Sequence, residues 1–152
     1  MTDEEIVERQ LGRRPRALRA VAVRCPFGRP AVTEQEPFDE EGRPFPTQFY
    51  VTCPQLVAAL ARLEGGGGVE RWSDAARTDP ELAASLAAAQ AEQRRLRPDL
   101  DAGIGGSTRS GSLKCLHAHA AFALARPGYE LGERILAELP SLWPRSCCTA
   151  AD

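Results

Sequence analysis

No stretch of this chain approaches the ~20 consecutive apolar residues that a membrane-spanning helix needs. The N-terminus, Met1-Thr2-Asp3-Glu4-Glu5, is acidic where a secretory leader is basic and then apolar. Both absences lead us to expect a cytoplasmic protein without membrane contact. Charge of one sign is missing too. The 19 basic and 21 acidic residues leave −2 overall, so no global field draws nucleic acid or an anionic surface. Arg13, Arg14, Arg16 and Arg19 cluster locally, with Arg24 beyond them, and read as a solvated arm. Lysine occurs once, at Lys114, a mark of GC-rich coding that says nothing about chemistry. There is no internal repeat apart from two strand–Cys-Pro units.

Five cysteines are present, an odd number that suits free thiols or ligands better than a disulfide framework in a reducing compartment. Cys25 and Cys53 each precede a proline, and Cys115 lies in Lys114-Cys115-Leu116-His117-Ala118-His119. Thiolate and imidazole are the donors zinc prefers, and thiolates also hold iron–sulfur clusters. Read as structure alone, the three cysteines are small buried hydrophobes at element ends. Their wide separation along the chain is unlike the paired spacing of ordinary zinc modules. A third reading makes Cys115 a reactive thiol, activated by a helix start, Lys114 and His117.

The elements follow from periodicity and punctuation. Residues 3–11 suit a short helix, and Leu18 to Val23 a strand ending at Cys25-Pro26. A turn at 27–30 leads to a second strand, Ala31 to Glu34, and Thr47 to Thr52 is the strongest strand signal. Helical spacing then takes over. Pro54 opens a helix that Gly65 to Gly68 end, and Val69 to Ala76 make another. Thr78-Asp79-Pro80-Glu81 carries two overlapping helix-start signals. Pro98 closes that helix. A further helix is expected from Ser110 or Ser112 to Ala125, with Leu113, Leu116, Ala120 and Leu124 on its core face. Leu131 to Leu139 form the last. These elements sum to an α+β fold, a small antiparallel sheet in the N-terminal third packed against four or five helices. Residues 1–145 are expected to form one domain and 146–152 a flexible tail carrying Cys147 and Cys148.

Where the helix ending at Ala125 begins decides which histidine can join Cys115. Inside a helix, i and i+4 share a face, so Cys115 would pair with His119 and His117 would point elsewhere. With Cys115 in or before the first turn, Cys115 and His117 could both face a metal; periodicity alone favours His119. The glycine-rich stretch before it, with Gly105, Gly106, Ser107, Arg109 and Lys114, is a candidate anion cradle at a helix start. No Gly-Lys-Ser/Thr closes it as a P-loop would.

Gln10-Leu11-Gly12-Arg13, Arg24-Cys25-Pro26, Pro44-Phe45-Pro46-Thr47, Tyr50-Val51-Thr52-Cys53-Pro54, Arg62-Leu63-Glu64 and Lys114-Cys115-Leu116-His117 together resemble the bacterial, mainly actinobacterial, domain of unknown function 501 family. The resemblance runs from roughly residue 7 to residue 139. It implies no assigned activity. It does imply that Lys-Cys-Leu-His is the recurring pattern, with His119 peculiar to this chain, and that histidine stands in some members where this chain has Cys53. Such an exchange favours a metal ligand. The expectation is therefore a Cys3His zinc site at Cys25, Cys53 and Cys115 with His117 or His119, an iron–sulfur cluster being the runner-up. The alternatives are a metal-free interaction domain or a thiol-dependent enzyme, with a protein or small molecule as the partner.

Overall fold

The computed structural model describes residues 1–108 and 113–149. Helix α1 (Asp3–Leu11) opens with a capping box that closes both ways: Thr2 Oγ1 accepts the Glu5 N–H at 3.2 Å, and the Glu5 carboxylate accepts the Thr2 N–H at 2.6 Å. Gly12, at φ 73°, ends it in the left-handed region. Strands β1 (Leu18–Arg24), β2 (Pro30–Gln35) and β3 (Phe49–Val51) follow, antiparallel in the order β1-β2-β3. The first Cys-Pro pair makes the β1–β2 turn, where Gly28 N–H donates to the Cys25 carbonyl at 2.8 Å and Cys25 N–H to the Arg29 carbonyl at 2.9 Å. The second does something else. Cys53 is the residue before α2 (Pro54–Gly65), with Pro54 in the first turn, where its missing N–H costs nothing.

Central β2 is buried along Ala31, Val32 and Thr33, whereas the outer strand β1 is half exposed along its length. Helices α3 (Gly68–Thr78), α4 (Pro80–Leu96), α5 (Leu116–Ala125) and α6 (Glu130–Ala137) complete six α-helices among the described residues, with a short 3-10 turn at Ile104–Gly106. At the α3–α4 junction Asp79 wins the two competing start signals: its carboxylate accepts the Glu81 and Leu82 N–H groups, while the Thr78 hydroxyl donates back to the Asp74 carbonyl. An α+β fold with its sheet in the N-terminal part is what the sequence predicts. No helix among the described residues is long and apolar enough to cross a membrane.

Helix α5 departs from expectation twice. It starts at Leu116, not near Ser110 or Ser112, which lie outside the described residues. Cys115 is fully extended at φ −158°, ψ 160°. Other helices hold this extended entry: Leu113 N–H donates to Ser73 Oγ at 3.2 Å, and Leu116 N–H to the Glu64 carboxylate at 2.6 Å. Glu64 of α2 thus supplies the cap that α5 lacks in its own sequence. The helix is also buried nearly all round, every residue from Ala118 to Ala123 being buried, rather than along one stripe. Its alanines let neighbours approach closely. A Cβ on Gly132 of α6 would lie 2.6 Å from Ala123 Cβ and 2.9 Å from the His119 carbonyl oxygen, so only glycine fits there. Phe122 joins this core to the sheet and to α6, meeting Phe49 and Tyr129 edge-on at 5.9 and 5.8 Å between ring centres.

Candidate functional site: a cleft at the start of helix α5

A cleft of about 570 Å³ opens where α1, β3, α2 and the first turn of α5 meet. Its walls are largely apolar: Leu11 from α1, Phe49 and Val51 from β3, Val57 and Ala58 from α2, and Ala118 from α5. The polar groups are few and come from separate stretches, namely Gln10, Arg13, Thr47, Tyr50, Thr52, Cys115 and His117. A mostly apolar hollow with a handful of placed polar groups is the usual form of a small-molecule site.

His117 is clamped. Its Nδ1 lies 3.0 Å from the Glu64 carboxylate and its Nε2 3.1 Å from the Val57 carbonyl oxygen. Both ring nitrogens face acceptors of α2, which leaves neither for the Cys115 thiol or for a metal ion. The same Glu64 oxygen also accepts the Leu116 N–H, so one carboxylate fixes the helix start and the imidazole together. Cys115, beside it in the cleft, has its thiol pushed up by burial, with the nearby Glu64 charge adding to the rise. The N–H groups of Ala118 and His117 and the Lys114 charge oppose this without reversing it. Cys115 therefore stays a thiol near neutral pH and is not an activated nucleophile.

At the other side of the cleft, an Arg13 terminal nitrogen lies 3.4 Å from the Tyr50 hydroxyl, within hydrogen-bonding reach. Arg13 is exposed and, among the described residues, has no carboxylate partner. Gln10 Nε2 donates to the Pro30 carbonyl at 2.8 Å. Two buried oxygens of cleft residues, Gln10 Oε1 and Thr52 Oγ1, have no hydrogen-bond partner among the described residues.

The expected metal ligands are dispersed. Among the described residues no three His, Cys, Asp or Glu side chains group so as to hold a metal ion. The reason is positional. Cys25 turns the β1–β2 hairpin, Cys53 is buried before α2, and Cys115 with His117 faces the cleft. His119 is wholly buried and its Nδ1 lies 2.8 Å from the Tyr129 hydroxyl. Burial raises the Cys53 thiol as well. In the glycine-rich stretch Gly106 N–H donates to the Gly103 carbonyl at 3.1 Å, Ser107 N–H to the Ile104 carbonyl at 3.3 Å, and Ile104 N–H to Gln90 Oε1 at 2.6 Å. Gly105 and Gly106 shape that turn, Lys114 is exposed beside it, and Arg109 lies outside the described residues. The large hydrophobic side chains exposed among the described residues are Met1, Phe27 and Phe38, none of them on the Ala-rich helices.

Sequence reasoning missed Arg13, Tyr50, Gln10 and Glu64 as site residues, although the signal was present. Apart from Arg24-Cys25-Pro26, each short motif carrying the family resemblance contributes to the cleft or to its Glu64 clamp. No curated protein and no solved structure matches the chain. A model of the family described as "Protein of unknown function (DUF501)" matches residues 21–102, more than half of the chain, and the chain belongs to that family.

Proposed function

We propose that the chain is a small-molecule binding protein whose cleft takes an apolar ligand with one anionic end. The observation carrying this reading is the exposed Arg13, without an ion-pair partner among the described residues, at the edge of an apolar hollow of about 570 Å³. An apolar body would lie against Phe49, Val51 and Val57, and its anionic group would take the Arg13 guanidinium beside the Tyr50 hydroxyl. The unpartnered oxygens of Gln10 and Thr52 leave capacity for a polar group along the ligand. Binding, rather than thiol catalysis, is favoured because burial raises the Cys115 thiol and both His117 nitrogens are engaged. A zinc ion or iron–sulfur cluster at Cys25, Cys53 and Cys115 has no assembled donor set behind it. Five free cysteines suit a reducing, cytoplasmic setting.

The test uses 8-anilinonaphthalene-1-sulfonate, an apolar aromatic body with a single negative charge, followed by its fluorescence on titration. The protein should bind one equivalent. Ala58→Trp, which adds bulk from an exposed helical position on the cleft wall, should abolish binding while circular dichroism and melting stay unchanged. Arg13→Gln should weaken binding about fivefold, the loss expected for one partly solvated charge-assisted contact. Equal binding by the protein and both variants would refute the assignment of the cleft.

A further inference from the structure

Three of the five thiols lie by the β1–β2 turn, and the cleft uses none of them. Cys147 Sγ lies 3.4 Å from Arg29 Nε and 3.2 Å from Thr149 Oγ1. Cys148 Sγ is 3.6 Å from Gln10 Nε2, which donates to the Pro30 carbonyl at 2.8 Å. Cys25 N–H donates to the Arg29 carbonyl at 2.9 Å. The hairpin turn and the C-terminal segment thus meet, with a guanidinium directly on one of the thiols.

We propose that Cys147 is an oxidant-reactive thiolate whose disulfide with Cys25 ties the C-terminal segment to the β1–β2 turn. The surroundings of Cys147 differ from those of its neighbours. It is half exposed, whereas Cys25 and Cys53 are buried. The Thr149 hydroxyl and the Arg29 guanidinium, in that order, lower its thiol to about 7, so about half is thiolate at neutral pH. A hydroperoxide is the oxidant the chemistry asks for. The Cys147 thiolate attacks the outer oxygen, the O–O bond breaks, and the alcohol leaves with a proton, giving a sulfenic acid at Cys147. The Cys25 thiol then attacks that sulfur and water leaves. Two thiols together give up two electrons to one peroxide.

Cys148 is a poor partner for Cys147, because adjacent Cα atoms stand about 3.8 Å apart and an unstrained disulfide needs at least about 4.4 Å. Cys25 is not adjacent, and its N–H donates to the carbonyl of the same Arg29 whose side chain meets Cys147. Arg29 is a positioning residue here: it holds the sulfur as an anion and touches no other reacting atom.

The experiment has two readouts on the full-length protein. One is the alkylation rate of each cysteine by iodoacetamide at pH 7, followed by peptide mass spectrometry. Cys147 should react fastest, and Arg29→Gln should slow it about fivefold while leaving Cys148 unchanged. The other is disulfide mapping after one equivalent of hydrogen peroxide. A Cys25–Cys147 cross-linked peptide should form, reverse with dithiothreitol, and be absent in both Cys147→Ser and Cys25→Ser. Cys147 reacting no faster than Cys148, or a Cys147–Cys148 product without the cross-link to Cys25, would overturn the proposal. Cys25→Ser is a buried change, so retained melting behaviour in Cys147→Ser carries the control.

Discussion

His117 and His119 are separated by one residue, yet α5 delivers the first to the rim of the cleft and the second to the centre of the core. His117 is about a quarter exposed, and each ring nitrogen meets an acceptor of α2. His119 is fully buried, with Nδ1 at 2.8 Å from the Tyr129 hydroxyl and Nε2 without a partner among the described residues. A two-residue step turns a helical side chain about 200°, so neighbours in sequence occupy different media. One histidine is a polar clamp at a site, the other a packed core residue that happens to titrate. Residue type alone did not distinguish them. The helix start did.

The largest consequence is for stability. His119→Ala removes a fully buried ring packed beside Tyr129 and strands the Tyr129 hydroxyl, so it should cost about 3–5 kcal/mol, in the range of other large-to-small core changes. His117→Ala, at a partly solvated position, should cost about 1 kcal/mol. Urea unfolding of both variants measures the difference. Equal losses would mean that the two rings occupy equivalent surroundings.

The second consequence is a pH dependence carried by His119. Burial lowers it from 6.5 to about 4 in the folded chain. Between those values the unfolded state binds a proton that the folded state refuses, so stability rises with pH through the window. The contribution is full above pH 6.5 and lost as pH falls toward 4, about 3 kcal/mol in all. Because carboxylates titrate at the lower edge, the quantity to compare is the slope between pH 6.5 and 5 in the protein and in His119→Leu. The variant should lose most of that slope. An unchanged slope would assign it to other groups.

Much of the fold was legible because its signals are local. The three strands, the Pro54 helix start, the Asp79 cap and the breaks at glycine all depend on residues close in sequence. The start of α5 was not, because its cap is Glu64, fifty-two residues upstream, and nothing at positions 110–116 announces it. The two Cys-Pro pairs separated on such local signals, a turn following Pro26 and helical spacing following Pro54. The cleft was half legible. Cys115 and His117 stood out as metal-ligating types, while Arg13 was read as part of a solvated basic arm and Tyr50 appeared only in a motif of the family resemblance, since neither residue type announces a binding role before the fold places it at a cleft. Zinc chemistry was read from residue type, and among the described residues no three such side chains group so as to hold a metal ion.

The smallest expected effect concerns which half of the clamp matters more. Glu64 is about a quarter exposed and uses one oxygen for two tasks, the Leu116 N–H at 2.6 Å and His117 Nδ1 at 3.0 Å. Glu64→Gln keeps an acceptor but removes the charge, and at this exposure it should cost about 1 kcal/mol. The shorter contact is to the helix start, where four N–H groups lack intrahelical partners and a negative charge is favoured. Most of the loss should therefore persist when His117 is already alanine. In a double-mutant cycle the coupling between Glu64→Gln and His117→Ala should come to about 0.5 kcal/mol or less. Coupling equal to the whole Glu64→Gln loss would make Glu64 a histidine-orienting group first and a helix cap second. The cleft edge would then be built around the His117 ring, instead of inheriting it from the way α5 begins.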